Sequence, residues 1–77
     1  MERVKVFIEK SEYGYSAYMG DSNLDYGCIG EGKTVDETIA DFNAAYNEMK
    51  AYYAEEGKTF VEAEFEFFYD TASFLAE

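Results

Sequence analysis

Three glutamates at alternate positions, Glu62, Glu64 and Glu66, are the densest set of reactive side chains in this 77-residue chain. On a strand, alternate residues share one face about 7 Å apart, a spacing that could hold a divalent cation. The same alternation opposite an apolar face keeps an exposed strand soluble and discourages edge pairing, and this is the reading the pattern favours. Lys33 beside Gly30 and Gly32 has the composition of a phosphate-binding loop, but Gly30-Glu31-Gly32-Lys33-Thr34 lacks the required spacing and carries a carboxylate inside it. Cys28 is the only cysteine, and the chain has no histidine to draw off its proton, so it reads as a packed thiol rather than a nucleophile. The missing histidine also removes the commonest general base and the usual zinc ligand. The expectation is a protein that is not an enzyme and uses no metal or cofactor.

Seventeen acidic residues against six basic ones give a net charge of −11. Such a surface repels phosphate backbones and attracts basic partners, so direct nucleic-acid binding by this chain is not expected. No run of eighteen apolar residues is present, and Met1-Glu2-Arg3-Val4-Lys5 does not open a signal peptide, which makes a cytoplasmic protein with no membrane segment the expectation. A chain this short has room for one domain, stabilised by large side chains of which 8 Tyr and 7 Phe are the main supply.

The elements that position these residues follow from periodicity. Arg3 to Lys10 alternates, with Val4, Val6 and Ile8 on one face and Lys5, Phe7 and Glu9 on the other, as in a half-buried strand. Ser11-Glu12-Tyr13-Gly14 is a turn, and Tyr15 to Met19 is a second strand of the same hairpin. Either Tyr15, Ala17 and Met19 or Ser16 and Tyr18 face its core. After a loop over 20–26, Gly27 to Gly30 reads as a short third strand. Gly30 and Gly32 suit a turn of the backbone into a helix, and Thr34 with Glu37 forms a capping box in which each side chain meets the other residue's amide. The helix is predicted over 35–56, stopped by Gly57, with Val35, Ile39, Phe42, Tyr46, Met49 and Tyr53 as its apolar stripe, widened by Ala44, Ala45 and Tyr52. Val61, Ala63, Phe65, Phe67 and Tyr69 alternate with Glu62, Glu64, Glu66 and Phe68 in a fourth strand, parallel to the third and placed beside the first.

The resulting fold class is α+β with the order β-β-β-α-β, one helix packed on a mixed four-stranded sheet over residues 1–69. Residues 70–77 have the look of a new helix start at Asp70 or Thr71, leading towards a further C-terminal domain. One helix covers one sheet face only. Phe7 and Phe68, with Tyr18 or Tyr15, point to the other, as an aromatic patch ringed by Glu62, Glu64, Glu66 and Asp70 and suited to a partner or to self-association.

The opening Val4-Lys5-Val6-Phe7-Ile8-Glu9, then Gly14-Tyr15-Ser16-Ala17-Tyr18, Gly27-Cys28-Ile29-Gly30-Glu31-Gly32 and Thr34-Val35-Asp36-Glu37-Thr38-Ile39, resembles the N-terminal domain of HicB antitoxins over about residues 3–69. The most specific part is Gly-Cys ahead of a Gly-x-Thr-x-x-Glu helix start. The chain departs from the family at Asp21-Ser22-Asn23-Leu24-Asp25-Tyr26, where a proline-containing loop is usual. The resemblance implies a truncated ribonuclease H-like fold without a catalytic carboxylate set. It also implies a bacterial toxin-antitoxin role: binding and masking HicA, a small basic RNA-cleaving toxin, with any DNA binding left to a separate C-terminal domain. The residues expected at the contact are Phe7, Glu9, Glu31, Glu62, Glu64, Glu66 and Phe68. The alternative is a regulatory or structural domain that forms a homo-dimer or higher oligomer through its aromatic sheet face.

Overall fold

The alternation of Val4, Val6 and Ile8 with Arg3, Lys5, Phe7 and Glu9 produces the central strand, β1 (Glu2–Ser11), in the computed structural model, which describes residues 1–69. The helix start expected at Asp70 or Thr71 lies outside the described residues. A turn at 12–13 returns the chain antiparallel as β2 (Gly14–Met19), and β3 (Ile29–Gly32) pairs antiparallel with β2. Helix α1 (Val35–Glu55) precedes β4 (Ala63–Tyr69), which runs parallel to β1. The strand order is β3-β2-β1-β4, so the mixed sheet and the β-β-β-α-β succession are as expected, with β4 beside β1 and two strands between β3 and β4. Among the described residues no helix is long and apolar enough to cross a membrane.

The helix lies on the face that carries Val4, Val6 and Ile8, all buried. The orientation of β2, open in the sequence, resolves in favour of Ala17, which is fully buried, with Tyr15 and Met19 packed beside it and Tyr18 on the opposite face. Phe42 is the centre of the core: its ring meets Phe65 edge-on at 4.9 Å and Phe67 at 5.6 Å. Burying each such side chain contributes about 1.5–3 kcal/mol, most of the drive for a domain this small.

Gly30 and Gly32 have a different role from the one their position suggested. Neither has a positive φ. A Cβ on Gly30 would stand 2.6 Å from the Phe42 nitrogen and the Thr38 oxygen, and one on Gly32 would stand 2.7 Å from the Glu37 Cβ. These glycines let the helix backbone rest directly on β3, which is why that strand runs to Gly32 rather than ending at Gly30. Thr38, buried at the same contact, satisfies its hydroxyl by donating to the Thr34 carbonyl at 2.8 Å.

Both helix ends are closed. The Glu37 amide donates to Thr34 Oγ1 at 3.1 Å, while the Glu37 carboxylate accepts from the Lys33 amide at 3.2 Å and not from Thr34 as a strict capping box would have it. Gly57, at φ 67, ends the helix: its amide donates to the Ala54 carbonyl at 3.2 Å and the Lys58 amide to the Tyr53 carbonyl at 2.9 Å, the two bonds of a Schellman motif.

The predicted stripe holds to its last turn, where Tyr53 is buried, but of the residues expected to widen it Tyr52 is 49% exposed and Ala44 is exposed as well. Tyr53 joins Tyr26, Tyr46 and Phe60 in an aromatic cluster, with Tyr26 stacked on Phe60 at 4.8 Å and 20°. Each hydroxyl in the cluster is engaged. Tyr26 donates to the Val61 carbonyl at 2.6 Å, Tyr53 donates to Asp25 Oδ1 at 3.1 Å, and Tyr46 accepts from the Ala63 amide at 3.1 Å. Burial, then the neighbouring Tyr46, pushes the Tyr26 phenol up to about 12. The cluster binds the loop before β3 and the segment before β4 to the helix. It also explains why β4 begins at Ala63, leaving Val61 half exposed outside the ladder.

Candidate interaction surfaces

The face of the sheet away from the helix is organised in rows by the strand register. Phe7 stands opposite Tyr18 on one side and Phe68 on the other, and Tyr18 stands opposite Ile29. The Phe7 ring lies 5.8 Å from Tyr18 and 6.0 Å from Phe68. An apolar row therefore crosses all four strands, with Phe7 36%, Tyr18 40%, Phe68 42% and Ile29 67% exposed. Phe7 and Phe68 were expected together here. Tyr18 and Ile29 complete the row only once the antiparallel registers are known.

The next row towards the β1 C-terminus holds Glu9, Ser16 and Glu31. On the other side stand Lys5 opposite Glu66, and Arg3 opposite Glu64. Arg3 lies between the two glutamates, its Nη2 3.9 Å from Glu64 and its Nε 3.6 Å from Glu66, while the Lys5 ammonium sits 5.6 Å from the centre of the Phe68 ring. The acidic rim expected around Phe68 is thus answered by two cations of the parallel neighbour strand. Glu62 is elsewhere. It precedes β4 and pairs with Lys50 of the helix at 2.8 Å, which holds its carboxyl below the usual range and the Lys50 ammonium above it. The three alternate glutamates consequently form no single set, and among the described residues no three carboxylate or thiol groups converge as metal ligands would.

A second surface lies where α1 crosses β3. Gly27, Cys28, Ile29, Ala45, Met49 and Tyr52 line an open apolar groove of about 490 Å³ with Glu48 on its rim. Beside it, Asp41 on the helix accepts the Glu31 amide at 2.9 Å, so a helix side chain occupies a backbone donor of this edge strand. Lys58 stands outside this lining, its ammonium 5.6 Å from the centre of the Tyr52 ring. Cys28 is buried, and that burial pushes its thiol up, away from the thiolate a nucleophile needs. Met49 belongs to the predicted stripe and Tyr52 was placed on its margin. Their role as one wall of a groove follows from the close seat of the helix on Gly30 and Gly32.

Comparison of the chain with family models, with curated proteins and with solved structures finds no match. The resemblance to the HicB domain rests on the residues quoted for it.

Proposed function

We propose that this chain is a protein-binding module of the antitoxin kind, which holds a small basic RNA-cleaving toxin of the HicA type in a masked complex and catalyses nothing itself. The observation that supports this reading is the flank of β3 and α1, an apolar groove whose lining contains Glu48 and no Lys or Arg among the described residues, with Glu31 and Asp41 close by. Apolar area gives such a contact its affinity, and uncompensated carboxylates give it speed and selectivity for cations. Of the acidic residues expected at the contact, Glu31 borders this flank and Glu9 lies two strands away across Ser16. Glu62, Glu64 and Glu66 already face Lys50 and Arg3, and have less to offer a basic partner. The cytoplasm, where such a toxin acts, is part of the same proposal.

The test is a pull-down from the source cell's lysate at low and high salt, followed by an RNA-cleavage assay of whatever small basic protein is retained. The expected outcome is a protein held at low salt, shed at high salt, whose cleavage of RNA is suppressed by the chain. Met49→Glu, which charges the groove, is expected to lose it. If only further copies of the chain come down, or if the retained protein cleaves RNA unhindered, the reading fails.

A further inference from the structure

The open sheet face carries a charge layout that matches its own image. On β1, Lys5 lies two residues before Phe7 and Glu9 two residues after it, and all three are exposed on one side. Residues so spaced stand about 7 Å apart. Lys5, Phe7 and Glu9 therefore set a cation, an apolar row and an anion in succession along the strand.

We propose that this face is the interface of a homodimer in which two sheets stack about a twofold axis running along the Phe68, Phe7, Tyr18 row, across the strands. That axis lays row on row and reverses the strand direction, so Lys5 of each copy meets Glu9 of the other. A twofold along the strands instead sets Glu9 against Glu9 and Lys5 against Lys5, and like charges disfavour it. Facing sheets pack about 10 Å apart with strand directions within about 30°, a gap that rings from both sides fill by interdigitating.

The occupant is a second copy because Lys5 and Glu9 flank the apolar row with opposite signs, and the twofold brings each against the other. Arg3 is taken up by Glu64 and Glu66, and a partner of one sign alone answers only Lys5 or only Glu9. Four strands about 4.8 Å apart and roughly 20 Å long present about 400 Å² per copy, below the roughly 800 Å² per partner of a standard stable interface. The dimer is therefore concentration-dependent. The α1 and β3 groove shares Ile29 with the edge of this row, so self-association is measured on the isolated chain, with no toxin present.

The experiment is sedimentation equilibrium of the 77-residue chain from micromolar to millimolar concentration, alone and as Glu9→Lys and Lys5→Glu variants. Wild type is expected to dimerise. Each variant carries like charges at positions 5 and 9 and is expected to self-associate at least about tenfold more weakly, while an equimolar mixture of the two forms heterodimers. Both positions are exposed, and circular dichroism with thermal unfolding checks that each variant is folded. A wild type that stays monomeric at millimolar concentration overturns the proposal. So do single variants that dimerise as well as wild type, or folded variants whose mixture remains monomeric.

Discussion

Two aromatic clusters sit on opposite faces of one sheet, and their ring spacings are alike: 5.8 and 6.0 Å for Phe7 with Tyr18 and Phe68, 4.8 to 6.4 Å for Tyr26 with Tyr46, Tyr53 and Phe60. They differ in what surrounds them. The Tyr26 cluster draws on the loop before β3, the helix and the segment before β4, and its hydroxyls meet a carbonyl, a carboxylate and an amide. The Phe7 cluster draws on three adjacent strands that the ladder already holds together, and one side of every ring faces outward. Rings that join distant segments stabilise the fold. Rings that decorate an already fixed sheet are available for binding.

The comparison breaks most sharply on large-to-small substitutions. Tyr26→Ala is expected to cost about 3–5 kcal/mol, enough to unfold much of the population, because it removes a buried ring together with the bond to Val61. Urea titration checks it. Should Tyr26→Ala and Phe7→Ser prove equally damaging, the division into a structural and a binding cluster is wrong. Phe7→Ser itself is expected to cost no more than about 1 kcal/mol in the monomer, since the ring is partly exposed, while abolishing the concentration dependence of the sedimentation profile.

Alkaline pH sharpens the same contrast. The fold holds the Tyr26 phenol at about 12 against an ordinary 10.0, mainly through burial, so it favours the protonated form. The stability tied to that proton is fully present below pH 10 and is lost as pH rises towards 12. Denaturant midpoints measured across this window are expected to fall for wild type and to fall less steeply for Tyr26→Phe, which forfeits about 1 kcal/mol at neutral pH by losing its hydroxyl. The smallest effect belongs to the exposed pair Lys50 and Glu62. Glu62→Gln is expected to leave the midpoint unchanged at neutral pH, and thermal melts at two salt concentrations test this.

Much of the fold is legible in local patterns. Strict alternation around Val6 and Phe67 marks strands, since only a two-residue period places Val4, Val6 and Ile8 on one face. Thr34 and Gly57 mark the helix ends because each serves backbone groups only a few residues away. The expected contact residues are legible as types but not as a site. Glu62, Glu64 and Glu66 look equivalent along the chain, yet Glu62 turns to the helix and the other two to Arg3. Tyr26 lies in an aperiodic stretch where no repeat announces burial, whereas the four- and three-residue spacing that ends on Tyr53 separates it from Tyr52.

The chain by itself thus determined the order of elements, the faces of β1 and β4, the helix caps and the acidic charge, because each depends on residues within a turn or two of one another. Tertiary structure decided which way β2 faces, why Gly30 and Gly32 must be bare, which glutamates are neutralised and which aromatic rings are covered. Those outcomes depend on strand register and on the seat of the helix, which bring together residues such as Arg3 and Glu64 or Tyr26 and Val61 that are far apart in the chain.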